Sequence, residues 1–294
     1  MSTLKHAGSE DVLKVLPERR PESHKGEYGR LLVIGGGSRY TGAPAMAGLA
    51  ALRSGVDLVT IASPTKTASV ISSFSPDLIT VGLPGRDFGP GALSRLREPL
   101  ERATASVVGP GLGTGASTQE AVVKLARMLS RDFAQLPVLY DADGLKAIAT
   151  QRGLLRNPRW VVTPHVGEFE LLVGPKLPTG TKARAKRVAE AAKELGCVIL
   201  LKAHVDIIAA PDGETVLNRT GNPGMTVGGT GDVLSGIIGT FLAQGAVPLR
   251  AAVAGAFACG RAGDICREEM GYEFMASDLI EKLPKVFAEV RGGA

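Results

Sequence analysis

Aromatic residues make up only 4% of this 294-residue chain, with a single tryptophan. That scarcity argues against an aromatic-rich β-sandwich and against a surface built to stack nucleic-acid bases. Cysteine is limited to Cys197, Cys259 and Cys266, and no two form a C-x-x-C pair. Such spacing supports neither a disulfide framework nor a cysteine-built metal centre; at least two of the three lie in apolar segments, as buried thiols of a reducing compartment do. No run approaches 18 uncharged apolar residues without glycine or a polar interruption, and the N-terminus MSTLKHAGSEDVLKVLPERRPESHKGEYG has no apolar h-region. A soluble, cytoplasmic protein without a membrane partner is the expectation. The 34 basic residues exceed the 29 acidic ones by five, but they are scattered, which favours small anionic ligands over nucleic acid. Several motifs are missing as well. There is no Gly-Lys-Ser/Thr of a P-loop, no H-E-x-x-H and no G-x-S-x-G, and GGGSRYTG lacks G-x-G-x-x-G spacing. Ser63 to Lys66 fit S-x-x-K, but no S-D-N partner follows.

Glycine, by contrast, is abundant at 38 residues, and 44% of the chain is hydrophobic, enough for a large core. Short apolar runs at 30–36, 58–63, 106–111, 137–143, 160–165 and 198–203 read as buried strands, each ending in or beside glycine, proline or a polar residue. Between them, segments 43–54, 118–129 and 181–195 carry helical spacing. The alternation predicts an α/β fold with a mostly parallel sheet covered by helices on both faces. Past residue 204, VDIIAAPDGETVLN predicts an antiparallel hairpin at one edge, turned by Pro211-Asp212-Gly213. Three helices follow, near 231–244, 248–269 and 276–290, with Gly245 and Gly271 as stops. Ligands of such sheets bind beyond the C-terminal strand ends. Five polar or glycine-rich strand ends, 35–37, 109–113, 141–143, 163–168 and 202–206, are thus expected on one rim. No repeat or low-complexity linker supports a domain boundary after residue 23, so the expectation is an N-terminal segment, 1–23, and one domain, 24–294.

Residues 220–236, TGNPGMTVGGTGDVLSG, set a glycine-rich turn ahead of one acidic residue, Asp232, at the start of an apolar helix. Glycines let backbone approach an anion, successive N–H groups converge on it, and the helix start adds its positive dipole end. A carboxylate beside phosphates is repelled by them. Its presence makes chemical sense if it takes a proton from a hydroxyl that then attacks phosphorus. The competing reading makes Asp232 only a helix-start residue.

The set V-V-G-P-G-L-G (107–113), L-Y-D-A-D-G-L (139–145), T-P-H-V-G-E-F (163–169), L-L-K-A-H-V-D (200–206) and N-P-G-M-T-V-G-G-T-G-D (222–232) resembles the ribokinase-like superfamily. Within it, H-K-G-E-Y-G-R-L-L-V-I-G-G (24–36), G-A-P-A-M-A-G-L-A-A-L-R-S-G (42–55) and T-P-H-x-G-E are similar to the NAD(P)H-hydrate dehydratase family. The resemblance implies a three-layer sandwich and an ADP- or ATP-driven hydro-lyase of metabolite repair. Its substrate would be the S form of hydrated NADH or NADPH, phosphorylated transiently on the ring hydroxyl so that water leaves as phosphate, with Mg2+ on the nucleotide. It also implies a homo-oligomer, commonly a tetramer, and a separate epimerase, since only 23 residues precede the matched region.

Carried over residue by residue, the family pattern makes Asp232 the base and the N–H groups of Gly229, Thr230 and Gly231 the cradle of the transferring phosphoryl. Substrate contacts fall on Ala43, Gly109, Gly111, Gly113, His165 and Asp232. Helix packing for Ala43, a structural turn for the glycines and an ordinary hydrogen-bonded role for His165 are the competing readings. Glu168 either caps the next helix or orients a magnesium-bound water; Asp141 and Asp143 are read as capping and substrate-positioning residues ahead of a D-x-D metal site. Nucleotide contacts fall on Lys202, Ala203, His204, Val205, Asp206 and Gly231. Here the chain departs from the family's Lys-Gly and threonine pattern, so backbone contacts carry over and the threonine hydroxyl does not. The short form favours ADP over ATP. Two other readings share the glycine turn: a vitamin-precursor kinase that releases its phosphorylated product intact, and a nucleotide-binding regulator without catalysis.

Overall fold

All six apolar runs form strands, joined by four more in one ten-stranded sheet. The computed structural model describes residues 4–174 and 177–292. In chain order the elements are β1 (Lys5–His6), α1 (Ser9–Leu13), β2 (Arg30–Ile34), α2 (Gly42–Arg53), β3 (Leu58–Pro64), α3 (Thr65–Ser72), β4 (Ile79–Leu83), α4 (Leu93–Arg102), β5 (Ala105–Val108) and α5 (Ala116–Asp132). There follow β6 (Val138–Tyr140), α6 (Ala142–Ala149), β7 (Trp160–Val162), α7 (Val166–Val173), α8 (Thr181–Leu195), β8 (Val198–Leu201), β9 (Asp206–Ala209), β10 (Thr215–Asn218), α9 (Thr230–Ala243), α10 (Pro248–Met270) and α11 (Ala276–Val290). Strand order is β1-β10-β9-β8-β7-β6-β5-β2-β3-β4. From β8 to β4 every pairing is parallel, while β9 is antiparallel to both β8 and β10. The mostly parallel α/β sandwich with a small antiparallel edge is therefore present.

The hairpin is not the outermost edge, because β1 adds to β10 in parallel register. Just after it, α1 buries Val12 completely in the main core. The segment ahead of residue 24 thus contributes to the same sheet and core as the rest of the chain. Gly213, at φ +94°, turns the hairpin, and Gly271, at φ +81°, ends α10. Elements with weak sequence signals have physical reasons for being weak. Strand β4, ITVGL, is half-exposed along most of its length, so no continuous apolar run marks it. Helix α4 is strongly polar and carries Pro99 inside it, and α6 and α7 are eight-residue helices that follow β6 and β7 after one and three residues.

Two cores flank the sheet. One packs α2, α9, α10 and α11 on a face containing Val33, Val107, Leu139 and Leu200. The other packs α4, α5, α6, α7 and α8 over Leu32, Val108, Tyr140 and Val162. In the first, α9 lies against α2 backbone: a Cβ on Gly236 would collide with the Ala47 carbonyl oxygen. A Cβ on Gly239 would stand 2.7 Å from Val107 Cγ2, so the same helix is also pressed onto the sheet. Small residues on α9 thereby set where its N-terminus, with Asp232, meets the C-terminal strand rim. Gly236→Ala should destabilise the protein by roughly 3 kcal/mol or more in urea unfolding, whereas Gly153→Ala, which meets no atom within 4 Å, should stay within about 0.5 kcal/mol of wild type.

Candidate active site

The start of α9 is built by glycines with different tasks. Gly229, at φ +100°, takes the left-handed conformation at the helix N-cap, and a Cβ there would press on Met46 Sδ and Ala276 Cβ. Gly228 has open space where a side chain would be. At Gly231 the nearest atoms to a Cβ would be Lys202 Nζ at 3.6 Å and Asp141 Oδ2 at 3.8 Å, so this backbone is bare beside two charges. The Thr230 hydroxyl closes the turn onto the carbonyls of Met225 at 3.0 Å and Val227 at 3.2 Å. Its side chain is structural, and only its backbone N–H faces the role expected of it. First-turn N–H groups have no intrahelical acceptors, which leaves them for an anion.

Beneath that turn lies a buried ion pair. Asp141 is 1% exposed; its Oδ1 accepts from Lys202 Nζ at 2.7 Å and its Oδ2 from the Ser235 hydroxyl at 2.8 Å. It occupies the N-cap position of α6 but makes no side-chain cap bond. The expected capping role is therefore corrected: the carboxylate is spent on Lys202 and α9. Burial alone would raise its pKa, but Lys202, Ser235 and Thr163 hold it below the ordinary carboxylate range. Ala142 follows at φ +47°, the one non-glycine residue with positive φ among the described residues, and it stands on the wall of a cavity. Asp143 instead accepts from the Gly113 N–H at 2.9 Å and from Lys146 Nζ at 3.1 Å, tying two rim loops together. Asp232 has a different environment. Burial first, then the Asp141 charge, push its pKa up to about 7, against the pull of Lys202. A carboxyl poised there can take a proton at neutral pH.

Two cavities meet at this point. One of about 440 Å³ is lined by Lys202, Ala203, His204, Asp206, Thr230 and Gly231, facing Gly221 to Thr226 and α10. The other, about 560 Å³, is lined by Ala43, Gly111, Gly113, Asp143 and Asp232 together with Arg39, Tyr40 and Lys146. Both are of a size that holds a small-molecule ligand. Gly231 and Asp232, neighbours in sequence, line one each. The rim on which the strand ends were expected to gather thus carries two chambers, lined at their nearest by consecutive residues.

Not every expected residue lines a chamber. The space a Gly109 side chain would need is taken by the Asp141 carbonyl, so this glycine is required by chain packing. Val205 lines neither cavity. Nor does His165, which caps α7: its Nδ1 accepts from the N–H groups of Gly167 at 3.0 Å and Glu168 at 3.3 Å. Glu168 returns the favour by accepting from the His165 N–H at 3.1 Å, and it is 4% exposed. Its capping alternative is realised. Among the described residues no cluster of three or more His, Cys, Asp or Glu could hold a metal ion. The H-K-G-E-Y-G stretch lies ahead of β2, at the opposite rim. There the Gly26 and Tyr28 N–H groups both bond Asp57 Oδ2, at 2.8 and 3.0 Å. Residues with no sequence signal also build the site: Ser235 holds Asp141, and Asp264 accepts from the Gly221 N–H and the Asn222 amide, fixing the loop across the smaller cavity.

Residues 31–285 match the profile of a family described as NAD(P)H-hydrate dehydratase. The chain belongs to that family. It is 46% identical over 269 residues to the bifunctional NAD(P)H-hydrate repair enzyme of Pyrobaculum aerophilum, covering 91% of itself and 52% of that protein. The chain spans about half the length of such bifunctional relatives. It is also 39% identical over 281 residues to the ADP-dependent (S)-NAD(P)H-hydrate dehydratase of Cenarchaeum symbiosum, covering 95% of each. Its fold matches that of the ADP/ATP-dependent NAD(P)H-hydrate dehydratase from Bacillus subtilis, co-crystallised with ATP and Mg2+, with a TM-score of 0.79 and 28% identity over 99% of this chain and all of that one. A ribokinase-like protein of Enterococcus faecalis gives a TM-score of 0.85 at 27% identity, over 97% and 96% of the two chains.

The Asp232 environment carries a stability cost with a definite sign. Its folded pKa lies above the ordinary value of 3.8, so folding favours the protonated form, and that contribution is lost as pH rises through about 7. Asp232→Asn should therefore melt higher than wild type at pH 8, by on the order of 2 to 4 kcal/mol in stability, and the two should converge near pH 4. A variant no more stable at pH 8 would contradict the buried-carboxylate reading.

Proposed function

We propose that this protein is a hydro-lyase that dehydrates the S form of hydrated NADH and NADPH, using ADP as phosphoryl donor with ATP as an alternative, and so restores the reduced cofactor. The observation that carries this reading is the adjacency of Gly231 and Asp232, one on each side of the boundary between the two cavities. A proton acceptor faces one chamber while bare helix-start backbone and the Lys202 ammonium face the other. That is the layout for moving a phosphoryl group from a donor to a hydroxyl.

In the smaller chamber, Lys202, Ala203, His204, Asp206 and Gly231 would hold the nucleotide, with Val205 contributing only backbone. The nucleotide supplies the phosphoryl group, with magnesium on its phosphates; Glu168, engaged in its cap, would reach that ion only through water. In the larger chamber, Ala43, Gly111 and Gly113 give the hydrated cofactor close access to backbone, and Arg39 and Lys146 offer positive charge to its pyrophosphate. His165 lines neither chamber and its Nε2 lies 3.5 Å from Glu168 Oε1, so its assignment to the substrate rests on the resemblance to the family and requires that nitrogen to leave Glu168; Gly109 would act indirectly, by shaping the turn. Asp232 takes the proton of the ring hydroxyl, and the N–H groups of Gly229, Thr230 and Gly231 hold the developing negative charge. Once the oxygen is esterified, it leaves as phosphate, pushed out by the ring-nitrogen lone pair, and loss of a proton from the adjacent ring carbon to water converts the resulting iminium ion into the neutral dihydronicotinamide. A cytoplasmic homotetramer and an epimerase that feeds it the S form complete the proposal.

Incubation with hydrated NADH, ADP and Mg2+ should restore dihydronicotinamide absorbance, with one AMP and one phosphate released per cofactor. Accumulation of a stable phosphorylated alcohol without that recovery would favour a kinase instead. Because Asp232 must be ionised to act, kcat/KM should rise with pH through about 7. Asp232→Asn should lower kcat by about 10³-fold while binding nucleotide normally.

A further inference from the structure

Asp206 stands at the start of β9 and on the wall of the smaller cavity, in the segment where the resemblance to the family implied a threonine hydroxyl. A threonine hydroxyl both donates and accepts hydrogen bonds; an ionised carboxylate only accepts. Whatever faces Asp206 must therefore be a donor. The side chain is held in place by two N–H groups, one per oxygen: Ala203 N–H to Oδ1 at 3.0 Å and the Asn218 amide to Oδ2 at 3.0 Å. Asn218 is in turn fixed, its amide on the Ala256 carbonyl of α10 at 3.3 Å and its oxygen accepting from the Thr220 hydroxyl at 2.9 Å. Each carboxylate oxygen keeps a lone pair beyond these bonds. Burial holds the Asp206 carboxyl above its ordinary pKa despite Asn218, Ala203 and Lys202, so the charged form is short of donors.

On an adenine nucleotide the phosphates only accept, which leaves the ribose hydroxyls and the adenine amine. Position separates those two. The phosphate end of the cavity is marked by Gly231 and the Lys202 ammonium, which stands 3.6 Å from where a Gly231 Cβ would be. Asp206 is four residues after Lys202, feels its charge and lines the same cavity as Lys202 and Gly231. The sugar is the part of a nucleotide that adjoins the phosphates; the amine is at the other end of the molecule.

We infer that Asp206 is the residue that reads the sugar of the donor nucleotide, accepting a hydrogen bond from a ribose hydroxyl. The inference rests on the nucleotide reading of this cavity and is independent of what is dehydrated in the other. Calorimetric titration of the intact protein with ADP, 2′-deoxy-ADP, 3′-deoxy-ADP and inosine diphosphate tests it without any turnover. Wild type should bind at least one deoxy form about tenfold or more weakly than ADP, as expected for loss of a hydrogen bond to a charged group. Asp206→Asn and Asp206→Thr, which both remove the charge, should narrow that gap to threefold or less. Equal affinity of wild type for ADP and both deoxy forms would overturn the inference, as would a gap unchanged in both variants. So would discrimination against inosine diphosphate that disappears with Asp206, since the carboxylate would then be reading the base. A wild type that binds no adenine nucleotide would overturn the nucleotide reading along with it.

Discussion

The ion pair between Asp141 and Lys202 joins the ends of β6 and β8, and through Ser235 it reaches α9. These elements are 61 and 94 residues apart from Asp141 in the chain. The carboxylate is out of water while the Lys202 side chain stays 23% exposed at the cavity, and removing the lysine typically costs about 3 to 5 kcal/mol because the buried negative charge is left uncompensated. Its position matters more than its strength. It sets a positive charge under bare helix-start backbone and a negative charge close enough to Asp232 to help keep that carboxyl protonated up to about pH 7. One buried contact thus places its ammonium on the smaller chamber and tunes the carboxyl that lines the larger one.

Close backbone approach holds this arrangement in place. Gly236 admits the Ala47 carbonyl, so α9 cannot slide along α2, and Gly109 admits the Asp141 carbonyl, so the β6–α6 turn cannot relax outward. A Cβ on Gly144 would stand 2.5 Å from the Val108 carbonyl oxygen, clamping the same turn from its other side. Within that clamp Ala142 is kept in a left-handed conformation that costs an alanine on the order of 1 to 2 kcal/mol. The strain sits on a cavity wall beside Asp232. Both the strained Ala142 backbone and the burial of Asp232 cost stability at this one wall.

The residues that mark the family divide into two physical kinds. H-K-G-E-Y-G is an anchor for the chain entering β2, through Asp57, and lies at the rim away from both cavities. T-P-H-V-G-E is largely a reciprocal helix cap between His165 and Glu168. G-T-G-D alone has no such structural account for its last two residues, since Gly231 and the Asp232 side chain are left facing open space. A motif can therefore identify the fold without itself touching a ligand.

Local pattern was sufficient for much of the architecture. Apolar runs ending in glycine or polar residues located six strands of the parallel sheet, 3.6-residue spacing located the long helices, and parallel strands require that their polar ends share a rim. The turn before Asp232 was legible too, because glycines, a helix start and a lone acid are all local. The short or half-exposed strands β1 and β4 were not, since no buried face leaves its period on the residues, and in α4 the helical spacing of Leu93, Leu96 and Leu100 is masked by Pro99 among polar residues. What only the tertiary structure decided were partners. Asp141 read locally as a helix cap, and the fold brought Lys202 to it from 61 residues away; Gly109 read as space for a ligand, and the chain itself filled it. Periodicity and backbone geometry are properties of neighbours in sequence, whereas charge compensation, burial and the division of one rim into two chambers depend on distances that exist only after folding.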